Sequence, residues 1–260
     1  MSKAALLKWY QDIGVDEVIS DTAAVKDASF LAKKKPAAKP VPETPAAPQQ
    51  TPQRMTPAKK ASEESRVLAN KAKSLPDLKQ ILSDFDGCSL KKTATNLVFG
   101  DGNPDSDIMF IGEAPGAEED LQGLPFVGQS GQLLDKMLSF IGLDRTKYYI
   151  SNTIPWRPPG NRAPTTGELA ACLPFLERHI ELVNPKVIVL VGGIATKNLL
   201  GGSNGIMKLR GKFYDYQTQG MTTPVKVFPI YHPSFLLRSP GQKRVVWGDL
   251  LTLKHTLGCK

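Results

Sequence analysis

The sequence predicts an α/β protein with three layers (α/β/α), in which helices cover both faces of a central, mostly parallel four-stranded sheet. Two observations lead to this prediction. Short apolar runs without polar alternation recur along the chain, as in strands whose two faces are both covered. Segments with helical spacing of apolar residues separate these runs, and such alternation is typical of folds built on parallel sheets.

The predicted elements follow one another in regular order from about residue 64. A helix over residues 64–84, interrupted by Pro76, comes first because apolar residues recur there at helical spacing. The predicted strands cover residues 108–111, 148–152, 187–191 and 225–231. The predicted helices between and after them cover residues 131–141, 166–183, 195–200 and 243–257.

The N-terminal part of the chain differs in composition from the rest. Residues 1–32 are predicted to be a helical segment, whose apolar stripe around Trp9 needs either the main domain or another protein as a partner. Residues 33–63 are predicted to be a disordered linker rich in Pro, Ala and Lys, because large apolar side chains are scarce there. Residues 64–260 are predicted to form the main domain.

Much of the positive charge lies in the predicted linker. The chain carries a formal net charge of +8, and residues 33–60 contain seven Lys or Arg residues but only one acid, Glu43. Such a linker fits weak, salt-sensitive contact with nucleic acid phosphates. It equally fits a spacer that keeps the chain in solution, and the composition favours neither interpretation.

The compartment is predicted from what the sequence lacks. It has no apolar stretch of the roughly 18 residues that a membrane span needs, and no signal-peptide pattern at its start. Cys88, Cys172 and Cys259 are too few and too scattered for a disulfide framework. We therefore expect a monomer without membrane contact in the cytoplasm, the compartment that holds bacterial DNA.

Several enzyme classes lack their usual motifs in this chain. There is no G-x-x-x-x-G-K-[ST] segment and no G-x-G-x-x-G after a predicted strand, which argues against nucleotide hydrolysis and dinucleotide binding. A G-x-S-x-G nucleophile turn is also absent. His179 and His255 fall on predicted helices far from His232, so the histidines predict no metal site.

Polar and aromatic residues cluster instead in the loops that follow the predicted strands. Glu113 follows the first strand, Asn152 ends the second, His232 follows the fourth, and Phe126 lies in the long loop after the first. Ligands of parallel α/β sheets bind at this carboxyl edge. Each residue alone has an ordinary structural interpretation, but their convergence on one edge predicts a site.

Four segments, in order, carry a resemblance to a known family: VFGDGNPDSDIMFIGEAPGAEED, GLPFVGQSGQLLDKML, RPPGNRAPT and HPSFLLR. Together they resemble the family-4 uracil-DNA glycosylases, over about residues 66–257. The resemblance implies that residues 64–260 are a catalytic domain with the uracil-DNA glycosylase-like fold. It also implies that the protein flips uracil out of DNA and hydrolyses its N-glycosidic bond in base excision repair, leaving an abasic site.

The resemblance implies a role for each matching residue of the pocket. Glu113 matches the acid that positions water and supports the cationic sugar, and His232 matches the histidine directed at uracil O2. Phe126 matches the aromatic that stacks on uracil, and Asn152 matches the amide that reads the edge of the base. Backbone groups of the turn that contains Gly112 and Ala114 are expected to assist in uracil binding.

A second set of residues is expected to contact DNA. The segment of Ser234, Phe235, Leu236, Leu237 and Arg238 matches the loop that enters the minor groove beside the flipped nucleotide. Apolar side chains of this segment are expected to fill the gap in the base stack. The phosphate contacts are expected to come from the loop that carries Arg157, Asn161 and Arg162, together with Arg238.

The sequence departs from the family at its metal cofactor. Members usually hold a [4Fe–4S] cluster with four cysteines, and the corresponding positions here are Phe85, Cys88, Trp156 and Cys172. Two thiolates cannot supply the four ligands of such a cluster. We therefore expect no cluster and no other cofactor, with Phe85 and Trp156 filling the space by apolar packing.

Three other activities are compared with glycosylase turnover. A protein that binds uracil- or abasic-DNA with weak or no turnover is the alternative, since the lost cysteines are compatible with a changed role. Covalent trapping of DNA is not expected, because Gly160-Asn161-Arg162 continues directly into Ala163 without a histidine-containing insertion. Lyase activity is not expected either, since no lysine is placed as a Schiff-base nucleophile.

Overall fold

The computed structural model describes residues 57–257 and the side chains of residues 62–257. The predicted helical segment 1–32, most of the predicted linker and Cys259 lie outside the described residues. Within them, the helices are α1 Pro57–Ala69, α2 Leu75–Asp84, α3 Ala117–Gln122, α4 Gln129–Ser139, α5 Thr166–Val183, α6 Gly193–Leu200, α7 Ile206–Leu209, α8 Pro233–Arg238 and α9 Lys243–Leu257. The strands are β1 Asp101–Gly102, β2 Ile108–Gly112, β3 Tyr149–Asn152, β4 Val187–Val191, β5 Tyr214–Tyr216 and β6 Val225–Ile230.

The described strands form one sheet in the order β1-β3-β2-β4-β6-β5. The four strands predicted from the sequence, β2, β3, β4 and β6, are parallel to one another and form its centre. Short strands β1 and β5 pair antiparallel at the two edges, so the sheet has two strands more than predicted. With two or three residues each, they offer too short a pattern to recognise in a sequence.

The sheet is covered on both faces, which confirms the three-layer α/β/α prediction. Alternate residues of a strand point to opposite faces, and β2 shows this clearly. Phe110 belongs to a core cluster shared with helices α4, α8 and α9. Met109 and Ile111 belong to another cluster, shared with α5 and α6. All three side chains are fully buried.

The N-terminal helical region differs from the prediction in two respects. The single interrupted helix expected over residues 64–84 is two helices, α1 and α2, because Ser74 caps a new helix and Pro76 lies in its first turn. Helix α1 already begins at Pro57, so the predicted linker end at residue 63 is wrong. Both helices pack against α5.

Within the described part of the chain, no helix combines the length and the apolar character that crossing a membrane requires.

Candidate active site

A pocket of about 710 Å³ opens at the carboxyl edge of the parallel strands. Each of the four central strands leads into it: β2 through Glu113, β3 through Asn152, β4 through Gly192 and β6 through His232. The parallel register places Gly112 beside Asn152, so the first two strands end at the same level. The predicted convergence of loops on one sheet edge is therefore the observed arrangement.

Gly112, Phe126 and Asn152 pack closely against one another at the end of β2. A β-carbon added to Gly112 would lie 2.5 Å from Cζ of Phe126 and would also collide with Oδ1 of Asn152. A side chain at position 112 would thus displace both the ring and the amide. Glycine at the end of β2 allows the aromatic ring and the amide to meet over the strand.

Asn152 presents an unused hydrogen-bond acceptor. The residue is buried, and its Oδ1 atom has no hydrogen-bond partner within the structure. A buried polar atom without a partner costs free energy, so such atoms are uncommon outside sites that a ligand completes. Because Asn152 lines the pocket, a bound molecule with an N–H group can supply the missing donor.

His232 is held in one tautomer by the start of helix α8. The backbone N–H of Ser234 donates to Nδ1 of His232 at 3.1 Å, and the hydroxyl of Ser234 lies 2.8 Å from the same nitrogen. Nδ1 is therefore an acceptor, and the neutral ring carries its proton on Nε2. Burial, with a smaller contribution from Arg238, lowers the pKa of His232 to about 4. At neutral pH the ring is an uncharged donor.

Phe126 and His232 lie on neighbouring sides of the pocket. Their ring centroids are 5.9 Å apart, with the planes tilted by 31°. Gly192, at a φ of 100°, passes close to the imidazole, and a β-carbon there would lie 3.0 Å from Cβ of His232. Since a left-handed φ also disfavours other residues, glycine at position 192 lets β4 turn beneath the histidine.

Glu113 lies at the pocket wall as the first residue after β2. Its backbone carbonyl accepts hydrogen bonds from the N–H of Ile154 at 3.2 Å and from the hydroxyl of Thr153 at 2.5 Å. These bonds tie the loop after β2 to the loop after β3. The carboxyl group is partly buried, and this desolvation raises the pKa of Glu113 above its ordinary value.

Helix α8 divides the predicted DNA-contact segment between the pocket rim and the core. Ser234, Phe235, Leu237 and Arg238 line the pocket, and Leu237 is 43% exposed. Leu236 is 0% exposed and belongs to the core cluster beneath the helix. The predicted DNA contact of Leu236 is therefore wrong, because successive residues of a helix point in different directions.

The loop after β3 holds its polar side chains in internal contacts. Arg157 donates to Oδ1 of Asn161 at 2.7 Å. Arg162 donates to both carboxylate oxygens of Glu168, at 2.7 and 2.9 Å, and this pairing lowers the pKa of Glu168 to about 2. Asn161 and Arg162 line the pocket, whereas Arg157 does not. The Arg162 guanidinium is thus already paired with a carboxylate.

Two residues that were not predicted also line the pocket. Met207, on the short helix α7, is 78% exposed at the rim. Glu119, on helix α3, accepts hydrogen bonds from three backbone N–H groups around the pocket. Its position three residues after Gly116 matches the spacing of a helix-capping glutamate, which is the sequence signal that could have found it. No comparable signal marks Met207.

The residues present at the predicted cluster positions do not fit a four-cysteine cluster. The Phe85 ring packs against Phe175 with centroids 4.8 Å apart, and Trp156 is buried in the same apolar cluster. Cys88 and Cys172 are both buried, and the hydrogen bond between their thiols lowers the pKa of Cys88. Among residues 57–257, no group of three or more His, Cys, Asp or Glu side chains is placed to hold a metal ion.

This fold and pocket define an α/β protein with a buried aromatic ring, an unpaired amide oxygen and an uncharged imidazole at the carboxyl edge of a parallel sheet. The family follows from comparison with known proteins. Residues 99–251 match the model of the uracil DNA glycosylase superfamily, and the chain belongs to that superfamily.

Several curated relatives are similar to most of this chain. The chain is 39% identical to a type-4 uracil-DNA glycosylase of Archaeoglobus fulgidus, over 72% of this chain and 95% of the relative. It is 39% identical to that of Sulfurisphaera tokodaii, over 70% of this chain and 84% of the relative. The type-4 enzyme of Thermotoga maritima is 43% identical over 63% of this chain and 84% of its own length.

Proposed function

We propose that this protein is a uracil-DNA glycosylase, a hydrolase that cleaves the N-glycosidic bond of uracil in DNA and leaves an abasic site for repair. The observation that carries the proposal is the pocket itself. A buried aromatic ring, an unpaired amide oxygen and a neutral imidazole donor face one cavity of suitable size. The similarity to type-4 enzymes supports the same reaction.

Recognition of uracil is proposed to rest on Phe126 and Asn152. The Phe126 ring offers a flat apolar face for stacking. The Asn152 amide accepts from uracil N3–H through its unpaired Oδ1 and donates to O4 through its nitrogen. Cytosine presents an amino donor and a bare N3 at the same edge, so its binding would leave buried polar groups unpaired.

Bond cleavage is proposed to depend on His232. As the N1–C1′ bond breaks, negative charge develops on uracil O2, and a preorganised donor at that oxygen stabilises the transition state. The Nε2–H of His232 is that donor, because Nδ1 accepts from Ser234. An uncharged imidazole serves this purpose since it need not gain a proton before the reaction.

Glu113 is proposed to act on the sugar side of the same bond. The sugar becomes cationic as uracil departs, and a nearby carboxylate stabilises this charge and orients the attacking water. Partial burial of the group increases the strength of that electrostatic interaction. Backbone groups of Ala114 complete this side of the pocket, whereas Gly112 does not line it.

Access to the base is proposed to require flipping of the nucleotide, since the target bond is hidden within the stack. Leu237 is the exposed apolar residue of helix α8, and this exposure supports a role in filling the gap that the base leaves. Arg238 at the rim and Arg157 in the loop after β3 are proposed phosphate contacts. Phe235 is half-buried and packs at the rim of the pocket.

Residue substitutions in the pocket test this function directly. Release of free uracil is measured on single- and double-stranded DNA with Asn152→Ala, Glu113→Ala and His232→Ala. Each is expected to lower kcat/KM by at least about 100-fold, in the range of a lost oxyanion donor. Exposed His255→Ala and Asn70→Ala serve as matched controls and should retain full activity. Full activity in all three pocket variants would refute the site.

The same assay separates the alternative function. Tight retention of uracil-containing or abasic DNA by the unsubstituted protein, without release of free uracil, would indicate a DNA-binding protein with weak or no turnover. Multiple-turnover release is expected instead.

We further propose that the protein carries no [4Fe–4S] cluster. The support is chemical: Phe85 and Trp156 offer no ligand atoms, and both are packed in an apolar cluster. Iron and sulfide assayed on protein purified without oxygen should be far below one cluster per chain. Stoichiometric iron and sulfide would overturn the proposal.

The remaining proposals concern the setting of the reaction. The protein is proposed to act as a monomer in the bacterial cytoplasm, where its DNA substrate lies. The segment of residues 1–32 is proposed to bind a protein partner through its apolar stripe. Sedimentation of the full chain tests whether it is a monomer. Capture of a partner by the full chain, and its loss when residues 1–32 are removed, tests whether this segment binds a protein.

A further inference from the structure

The residue that stacks on the base has an unusual backbone conformation. Phe126 has a φ of 56°, in the left-handed region that aromatic residues seldom adopt. Such a conformation costs free energy and persists only where the surroundings enforce it. Two charged side chains, Arg145 and Glu119, contact the backbone on either side of this position.

Arg145 holds the carbonyl groups of the segment. Its guanidinium donates to the carbonyl of Phe126 at 2.7 Å and to that of Pro125 at 3.2 Å. The same group pairs with Asp135 at 3.0 Å and with Asp101 at 3.0 Å. These two carboxylates fix the orientation of the planar fork, so its remaining N–H groups point at the two carbonyls.

Glu119 holds the N–H groups of the same segment. One carboxylate oxygen accepts from the N–H of Val127 at 3.1 Å and of Gly128 at 2.9 Å. The other oxygen accepts from the N–H of Gly116 at 3.1 Å. A single carboxylate therefore joins the segment of Phe126 to the loop after β2, which carries Glu113. Hydrogen bonds to an ionised group are about twice as strong as neutral ones.

Close packing also leaves little room around the backbone of Phe126. Beneath it, a β-carbon on Gly131 would lie 2.6 Å from Cα of Phe126 and would overlap its carbonyl. Gly112 touches the other end of the same side chain, at the ring. The backbone of Phe126 is thus packed against helix α4, and its ring against the end of strand β2.

We infer that Arg145 and Glu119 are positioning residues for the reaction, which together hold the Phe126 ring where it stacks on uracil. The inference rests on the proposed function and adds two residues that act through the position of Phe126. Without the hydrogen bonds of Arg145 and Glu119, Phe126 relaxes toward a negative φ and its ring leaves the stacking position. Uracil then binds in a misaligned pose, which lowers the rate of bond cleavage.

The first test is Arg145→Lys, which keeps the charge but offers a single point of donation instead of a planar fork. We expect kcat/KM for uracil release to fall about tenfold. Inhibition by free uracil should weaken in parallel, because the base loses its stacking face. Affinity for DNA that carries a tetrahydrofuran abasic site should stay within about twofold, since such DNA has no base to stack.

A matched arginine provides the control. Arg178 also binds a backbone carbonyl, that of Ala72, with two hydrogen bonds at 2.8 and 3.0 Å, and it pairs with Glu181. Its side chain is 25% exposed, against 24% for Arg145. Arg178→Lys should lower the melting temperature to a similar extent but leave kcat/KM and uracil inhibition unchanged.

A double-mutant cycle identifies the route of action. If Arg145 acts through Phe126, the effect of Arg145→Lys on kcat/KM disappears when Phe126 is already alanine. If the two losses multiply, Arg145 acts by another route and the inference is wrong. Wild-type kinetics for Arg145→Lys would also overturn it. Failure of the unsubstituted protein to release uracil would instead refute the proposed function.

A second variant keeps the test decisive should Arg145→Lys not fold. Glu119→Gln preserves shape but replaces one acceptor oxygen with a donor, so contact with either Gly116 or the Val127–Gly128 pair is lost. About a tenfold fall in kcat/KM is expected, again absent in the Phe126→Ala background. Glu181→Gln, which alters a carboxylate bonded to the N–H of Gly220, is its control and should keep full activity. Equal losses in both glutamine variants would contradict the inference.

Discussion

Replacing Gly112 by alanine should abolish most of the activity without unfolding the protein. The added β-carbon would lie 2.5 Å from Cζ of Phe126 and would collide with Oδ1 of Asn152. These are the stacking face and the edge-reading group of the pocket. The substitution thus adds one methyl group at the point where both meet, while Glu113 and His232 keep their own contacts.

The expected loss follows from the overlap. Carbon atoms pack at about 3.5 Å, so the ring, the amide or the strand must move by about 1 Å to admit the new methyl group. A misplacement of that size costs roughly 100-fold in rate. Overpacking of this kind also lowers the free energy of unfolding by about 1–3 kcal/mol. Activity should therefore fall far more than the folded fraction does.

The assay compares kcat/KM for uracil release with the urea midpoint of Gly112→Ala. Gly167→Ala is the matched control, because a β-carbon at Gly167 meets no atom within 4 Å; it should leave kcat/KM unchanged and should not lower the urea midpoint. Wild-type kcat/KM in Gly112→Ala would refute the reasoning, since it would mean that Phe126 and Asn152 need not occupy their observed positions during the reaction.

Two other predictions follow from burial. Leu236→Ala should lower the free energy of unfolding by about 2–5 kcal/mol through cavity formation. Leu237→Ala should leave the free energy of unfolding unchanged but slow uracil release from double-stranded DNA more than from single-stranded DNA. A larger effect on single-stranded DNA would contradict the assignment of Leu237 to the gap in the base stack. Burial lowers the pKa of His179 to about 3, below the 6.5 of an ordinary histidine, so its contribution to stability is complete above pH 6.5 and is lost as the pH falls toward 3. Between pH 6.5 and 4, the free energy of unfolding of the wild type should fall by about 1.4 kcal/mol more per pH unit than that of His179→Gln, as measured by urea unfolding. An equal pH dependence of the two proteins would refute this.

The central strands and the long helices could be predicted because their signals are local. The apolar run Val187–Val191 and the helices Thr166–Val183 and Lys243–Leu257 have the predicted bounds. Strands Asp101–Gly102 and Tyr214–Tyr216 were missed because they exist only by pairing with β3 and β6. Their sequences carry too few residues for a periodic pattern.

The candidate site could be predicted in part for the same reason. Glu113, Asn152 and His232 immediately follow strands, and the edge of a parallel sheet brings such positions together. The burial of Leu236 depends on helix packing that no local pattern records. This residue was assigned to DNA contact because its segment resembles the family's DNA-contact loop.

What the sequence by itself determined is the α/β class, the order of its central elements and the chemical groups at one edge of the sheet. These follow from periodicity and from where strands end, which are properties of short segments. Only the tertiary structure decided that Asn152 keeps an unpaired acceptor and that the Phe126 ring lies beside His232 in the pocket. It also decided that Arg145, remote in sequence, holds the backbone of Phe126. Each of these depends on which groups meet across the fold, because burial and hydrogen-bond partners are set by packing between segments rather than within them.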